Sequence, residues 1–217
     1  MIFHDLFQRG ITAIILLATS AAWLTASYYF PHVFLLGLGI LMLICLYEWL
    51  EMSKNRTGTG GLKYCGIAGI VGGFLAWIYI HQTMGLFGTC LILAVAMTSD
   101  TLAYLGGRLF GGPKLCPKIS PSKTWAGCLS SLILAPLCAA GLLHMIHQGG
   151  FSWFNWRILT ALALAGQIGD LVESAAKRLF QVKDSGTWLP GHGGFLDRLD
   201  SILAMAFALA VFLWMSS

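Results

Sequence analysis

Ile11 to Phe30 reads I-T-A-I-I-L-L-A-T-S-A-A-W-L-T-A-S-Y-Y-F, twenty residues without a charged side chain. A helix rises 1.5 Å per residue, so about 20 apolar residues cross the ~30 Å hydrocarbon core of a bilayer. Arg9 ahead of this stretch and Ala18-Thr19-Ser20-Ala21-Ala22 within it look like a secretory signal. The apolar run continues through Trp23 to Phe30, past the usual length of a signal's apolar core, and so predicts a retained first membrane helix. Six further apolar runs follow, near 32–50, 64–80, 86–105, 127–146, 157–175 and 201–215. They consume most of the 217 residues and leave little for a separate soluble domain. The chain is 57% hydrophobic and only 10% charged, with mean hydropathy +0.77, where a soluble domain carries roughly 25% charge. The expected fold is all-α: a polytopic transmembrane bundle of about seven spanning helices, with 1–217 a single integral membrane domain.

The loops orient it. If seven helices alternate, the N-terminal tail, the 51–63 loop, the 106–126 loop and the 176–200 segment lie on one side. They hold twelve of the 13 Lys and Arg residues, and only Arg157 falls opposite. Positive-inside bias then puts the N-terminus in the cytoplasm and the C-terminus outside. Asp5, Glu48, Glu51, Asp100, Asp170, Glu173, Asp184, Asp197 and Asp200 also fall in cytoplasmic segments or at inner helix ends. Charges of both signs on one face suggest a polar working site open to the cytoplasm, whereas the short outer loops, 81–85 and 147–156, hold no carboxylate. The polar stretch Ser53–Gly61 reads as a flexible connection whose bases can meet anionic headgroups.

Cys45, Cys65, Cys90, Cys116, Cys128 and Cys138 show no C-x-x-C spacing and mostly lie in apolar runs, so they read as small buried residues and not as disulfides or a zinc site. No basic stripe interleaved with aromatics supports nucleic-acid binding.

Three clusters carry chemistry. In the helix around 157–178, Gln167, Asp170, Ser174 and Lys177 recur at spacings of three and four and share a face. An ionised Asp facing lipid costs on the order of 2.5–3.5 kcal/mol, so this face meets protein, water or a metal, unless Asp170 sits at headgroup level and merely ends the helix. From Lys183 to Ser201 the chain reads K-D-S-G-T-W-L-P-G-H-G-G-F-L-D-R-L-D-S. Its Pro and Gly residues let backbone approach a ligand around His192. Asp197, Asp200 and Ser201 then share one face of the last helix, where carboxylates suit either a helix start or Mg²⁺, which takes one or two carboxylates plus substrate phosphates. The third cluster runs from Ser99 to Gly127. Asp100 ends a membrane helix, and Arg108, Lys114, Lys118 and Lys123 follow with Ser120, Ser122 and Thr124 between them. Such a loop offers donors to a polyphosphate, although positive-inside bias alone explains the lysines. The glycine spacing of a P-loop is absent.

Ser174, Lys177-Arg178, Lys183-Asp184, Pro190, His192-Gly193-Gly194, Asp197-Arg198 and Asp200 resemble, in order and spacing, the signature of the phosphatidate cytidylyltransferase (CDP-diglyceride synthase) family. Asp100, Ala103-Tyr104, Gly107-Arg108, Ser120-Pro121, Lys123-Thr124 and Gly127 resemble its second recurring block, and Glu48-Trp49 matches its earlier helix. The catalytic motifs thus occupy about 97–201. Ala126 stands where many relatives carry Glu, and the chain is short for the family, with fewer N-terminal helices.

The resemblance implies a nucleotidyl transfer between CTP and phosphatidate that yields CDP-diacylglycerol and pyrophosphate. It implies Mg²⁺ held by Asp170 and Asp197, with Asp100 and Asp200 as further metal candidates in the same polar site, and a second cation, K⁺. Asp170, Asp197, Lys177 and His192 are the catalytic candidates. Lys123, Ser120, Arg178, Lys183, Arg198 and Ser174 are the candidates for holding phosphates. It further implies a homodimer in a bacterial inner membrane with its site facing the cytoplasm. A CTP-dependent polyprenol or phytol kinase is the nearest enzymatic alternative. A cation channel or transporter is the alternative from another class, since it too holds intramembrane aspartates.

Overall fold

The structure, a computed structural model, describes residues 2–54, 60–147 and 153–216. Helix α1 (Ile2–Tyr29) is followed by α2 (Pro31–Ser53), α3 (Gly60–Phe110), two short strands, β1 (Lys114–Cys116) and β2 (Ser120–Thr124), and then α4 (Trp125–His147), α5 (Trp153–Leu179) and α6 (Leu196–Ser216). Six of these helices are long and apolar enough to cross a membrane, and large apolar side chains such as Ile14, Leu17, Leu36 and Leu43 cover their outward faces. The chain is a mostly helical, integral membrane protein. Most of the Ser53–Gly61 connection, Arg56 included, and part of the 147–156 connection lie outside the described residues.

Phe30 alone separates α1 from α2. Pro31 bars the helical conformation for the residue before it, and Phe30 sits at φ −131° and ψ 89°. The missing proline N–H costs nothing at a helix's first position. Glycine makes the other sharp reversal. A straight helix of 51 residues would run about 77 Å, more than twice the hydrocarbon core. At Gly85 the backbone takes φ 64° and ψ −153°, a region open to glycine almost alone. Trp77 Nε1 then donates to Thr89 Oγ1 at 3.2 Å across twelve residues, a span of about 18 Å along an unbroken helix. So α3 is a helical hairpin with limbs 60–84 and 86–110. The expected loop over 81–85 shrinks to one residue.

The strands depart from the all-α expectation. Pro113, Pro117 and Pro121 exclude helix from the segment read as a loop. β1 and β2 pair antiparallel with Lys114 opposite Thr124 and Cys116 opposite Ser120. The hairpin leads directly into α4, where Thr124 Oγ1 accepts the Gly127 N–H at 3.1 Å and so caps the helix.

The second limb of α3 and α4 approach through small residues, as membrane helices do when backbones meet closely. A Cβ on Gly127 would lie 2.4 Å from the Ala103 carbonyl oxygen. Below this seam, Ser99 and Ser131 Oγ atoms are 2.7 Å apart, and Gln167 Nε2 donates to Ser131 Oγ at 3.0 Å, which satisfies buried polar groups within the bundle. The core comprises Phe34, Phe74, Trp77, Ile80, Ile92, Leu162, Met205 and Leu209. All six cysteines are free, as expected; Cys45 is buried, but Cys65 and Cys138 face outward, contrary to the expectation of burial.

Candidate active site

The ends of α2 and α5, the second limb of α3, and the starts of α4 and α6 meet at one end of the bundle, where the segment 180–195 crosses between α5 and α6. Gly191 (φ 75°) and Gly193 (φ 81°) bend this segment back, so that Leu189 N donates to Gly193 O at 2.9 Å and His192 N to Leu189 O at 2.8 Å. The Arg198 guanidinium holds the His192 carbonyl at 2.9 and 3.2 Å. These bonds fix the backbone at His192, whose ring places Nδ1 3.5 Å from the Pro190 carbonyl oxygen.

Asp197 opens α6 with both carboxylate oxygens engaged. Oδ1 lies 2.6 Å from Lys177 Nζ, and Oδ2 accepts the Ser185 and Gly194 N–H groups at 2.8 Å each. Lys177, buried, is also 2.5 Å from Glu173 Oε2 one helical turn back. Glu173 Oε1 is buried with no hydrogen-bond partner among the described residues. Burial of one cation between two carboxylates holds the end of α5 against the start of α6.

Asp170 sits one turn further into α5. Its Oδ1 accepts Ser174 Oγ at 3.2 Å, and Lys123, from β2, stands 2.5 Å from its Oδ2. The strand hairpin therefore delivers Lys123 to the helix face that carries Gln167, Asp170, Ser174 and Lys177.

Two cavities adjoin there. A polar one of about 270 Å³ is lined by Asp100, Asp170, Lys177, Asp184, His192, Asp197, Arg198, Asp200 and Ser201. A larger one of about 730 Å³ shares Asp100, Asp170 and Arg198 with it and continues between α3 and α4 past Tyr104, Arg108, Lys114, Ser122 and Lys123. The structure thus brings together Asp100, Asp170, Asp197, Asp200, Lys177, His192 and Arg198, with Lys123 and Ser174 against Asp170. It leaves out three of the expected phosphate contacts. Arg178 turns away to the carbonyls of Ile119 and Val182, both at 3.2 Å. Lys183 and Ser120 line neither cavity.

The donor set suits a hard divalent cation. Five aspartates face one small cavity, and Asp100 and Asp184 have no hydrogen bond or ion pair among the described residues. No three His, Cys, Asp or Glu side chains of the described residues close on a single point. Mg²⁺ does not require that, because it binds through one or two carboxylates and completes its shell with phosphate and water. Among the described residues, Asp200 Oδ1 accepts only the Ser201 N–H, at 2.6 Å.

Sequence reasoning gave no role to two residues, Glu48 and Ser185, although it quoted Glu48-Trp49 as a match to the family's earlier helix. Glu48, 1% exposed, accepts Ser185 Oγ at 2.9 Å, Phe195 N at 3.0 Å and Leu196 N at 2.8 Å. Ser185 also accepts the Asp197 N–H at 3.3 Å. The signals in the sequence were a carboxylate, Glu48, inside an apolar run, and its place in the Glu48-Trp49 pair.

Residues 63–216 match the cytidylyltransferase family. The chain is 37% identical over 182 residues to a phosphatidate cytidylyltransferase of Brucella abortus, covering 82% of this chain and 65% of that one. It is 39% identical over 166 residues to a phosphatidate cytidylyltransferase of Staphylococcus haemolyticus, covering 76% and 64%. A Staphylococcus aureus protein of the same name is 37% identical over 166 residues, covering 76% and 64%. The chain spans just under two thirds of the length of these relatives.

Proposed function

This chain belongs to the cytidylyltransferase family, and from that premise we propose that it joins CTP to phosphatidate, forming CDP-diacylglycerol and pyrophosphate. One observation carries the reading: an aspartate-lined polar cavity runs into a larger, basic-walled cavity between membrane helices. The first suits a triphosphate with its cation. The second offers room for the remaining substrate groups and a way in for a lipid headgroup.

In the reaction, an oxygen of the phosphatidate phosphate bonds to the α-phosphorus of CTP. The bond to the bridging oxygen breaks, and its electron pair leaves with pyrophosphate. A phosphate monoester is already anionic near neutral pH, so no strong general base is needed, and the protein's work is positioning and charge neutralisation. Asp170 and Asp197, with Asp100 and Asp200 beside them, would hold Mg²⁺, which when bound neutralises phosphate charge. Lys177 and Arg198 face the same cavity, and Lys123 borders the larger one. All three offset the charge of the phosphates, and His192, which lines the same polar cavity, remains a catalytic candidate. A second cation, K⁺, belongs to the same polar site by the family resemblance.

The proposed topology has seven crossings, because the two limbs of α3 each count as one. The N-terminus and the polar site then face the cytoplasm of a bacterial inner membrane, in accord with the positive-inside bias. Assembly as a homodimer rests on the resemblance alone.

The test is a product assay on purified protein with CTP, phosphatidate and Mg²⁺. Pyrophosphate and CDP-diacylglycerol are expected, and Asp170→Asn is expected to lower turnover about 10²–10³-fold. Release of CDP instead would mark a lipid kinase. Near-normal turnover of Asp170→Asn at saturating Mg²⁺ would remove the metal assignment.

A further inference from the structure

Glu48 is the most deeply buried carboxylate among the described residues, and the reaction above assigns it no task. It stands on α2, in the Glu48-Trp49 pair that resembles the family's earlier helix and ahead of residues 63–216. No lysine or arginine pairs with it among the described residues. Its partners are the Ser185 hydroxyl and the N–H groups of Phe195 and Leu196. Those two N–H groups belong to the start of α6 and have no acceptor within the helix. A negative charge there also favours the helix dipole.

The contact continues into the site. Ser185 passes its O–H to Glu48, accepts the Asp197 N–H, and gives its own N–H to Asp197 Oδ2. The backbone has been cleared for this: a Cβ at Gly194 would stand 2.5 Å from both Glu48 oxygens, and one at Gly186 would stand 2.6 Å from Oε1. Simple stabilisation does not call for such an arrangement, since well-packed apolar groups often serve a buried position as well as charges do. A carboxylate adds fixed directions for several donors at once.

We infer that Glu48 is a positioning residue for nucleotidyl transfer: from α2 it fixes the first turn of α6, so that Asp197 and Asp200 face the same cavity as Asp170. The inference rests on the cytidylyl-transfer reading for its effect on turnover, but the clasp itself is measurable without it.

The experiment compares the full chain with Glu48→Gln and Glu48→Asp, using Asp170→Asn as the reference. Glutamine keeps the shape but must set an amide N–H against one of the three donors. The expected result for Glu48→Gln is a retained helical circular dichroism spectrum and faster hydrogen–deuterium exchange across 194–198. Mn²⁺ affinity, read by electron paramagnetic resonance, and kcat should each fall about 10–100-fold, with KM for CTP within about twofold of its original value. Glu48→Asp should recover part of the loss. Unchanged exchange, unchanged Mn²⁺ affinity, or a fall in activity matched by an equal fall in folded protein would overturn the inference. Failure of the cytidylyl-transfer reading looks different: the unaltered chain makes no CDP-lipid, or Asp170→Asn remains active, whatever Glu48 does.

Discussion

Two groups of carboxylates lie at the same end of the bundle and behave oppositely. Glu48 and Asp197 are met by directed donors, three on Glu48 from Ser185, Phe195 and Leu196, and on Asp197 two amides and an ammonium. Asp100 and Asp184 are exposed and carry no partner among the described residues. The difference lies in the donors that surround each group: Glu48, buried and saturated by donors, only holds the chain in place; Asp100 and Asp184 keep lone pairs free for a ligand; and Asp197 is held by its donors while it still lines the polar cavity. Asp170 lies between these cases, held by one lysine and one hydroxyl.

The contrast breaks most severely at Lys177. Lys177→Met leaves Glu173 and Asp197 buried and facing each other without their cation, which is expected to cost about 3–5 kcal/mol. Thermal unfolding in detergent should show the loss, and a midpoint equal to that of the parent would refute the account of the matched group. Gly194→Ala presses a methyl group against Ser185 Oγ and both Glu48 oxygens. The expected destabilisation is about 1–3 kcal/mol, as for other overpacked sites, and the same unfolding assay reads it. The smallest effect on folding falls on the unmatched group. Asp100→Asn should change stability by no more than about 0.5 kcal/mol, yet lower turnover and raise the Mg²⁺ concentration needed for half-maximal rate. If Asp100→Asn destabilises the chain as much as Lys177→Met does, the division between holding and binding carboxylates is wrong.

The sequence made the helical character plain, because each crossing needs its own apolar run. The reversal was legible as the 81–85 gap between two apolar runs, but its tightness was not, since Gly85 alone replaces the polar loop that usually marks a reversal. Pro113, Pro117 and Pro121 declared that the segment before α4 is not helical, but the pairing of Lys114 with Thr124 depends on backbone contacts that no pattern displays. In the site, helical spacing correctly put Asp170, Ser174 and Lys177 on one face. Charge alone did not distinguish Lys123, which reaches Asp170, from Arg178, which binds carbonyls elsewhere. The contribution of Glu48 was least legible. It lies 137 residues from Ser185, and a side chain's role across such a distance exists only once the helices have packed.

The pairing of Glu173 with Lys177 also bears on how the protein is made. Chains emerge N-terminal end first, so α5 enters the bilayer ahead of α6, the helix that carries Asp197. Because its lysine and glutamate stand one turn apart on the same helix, α5 can enter with that charge already cancelled, and Asp197 later joins a cation that is in place to receive it.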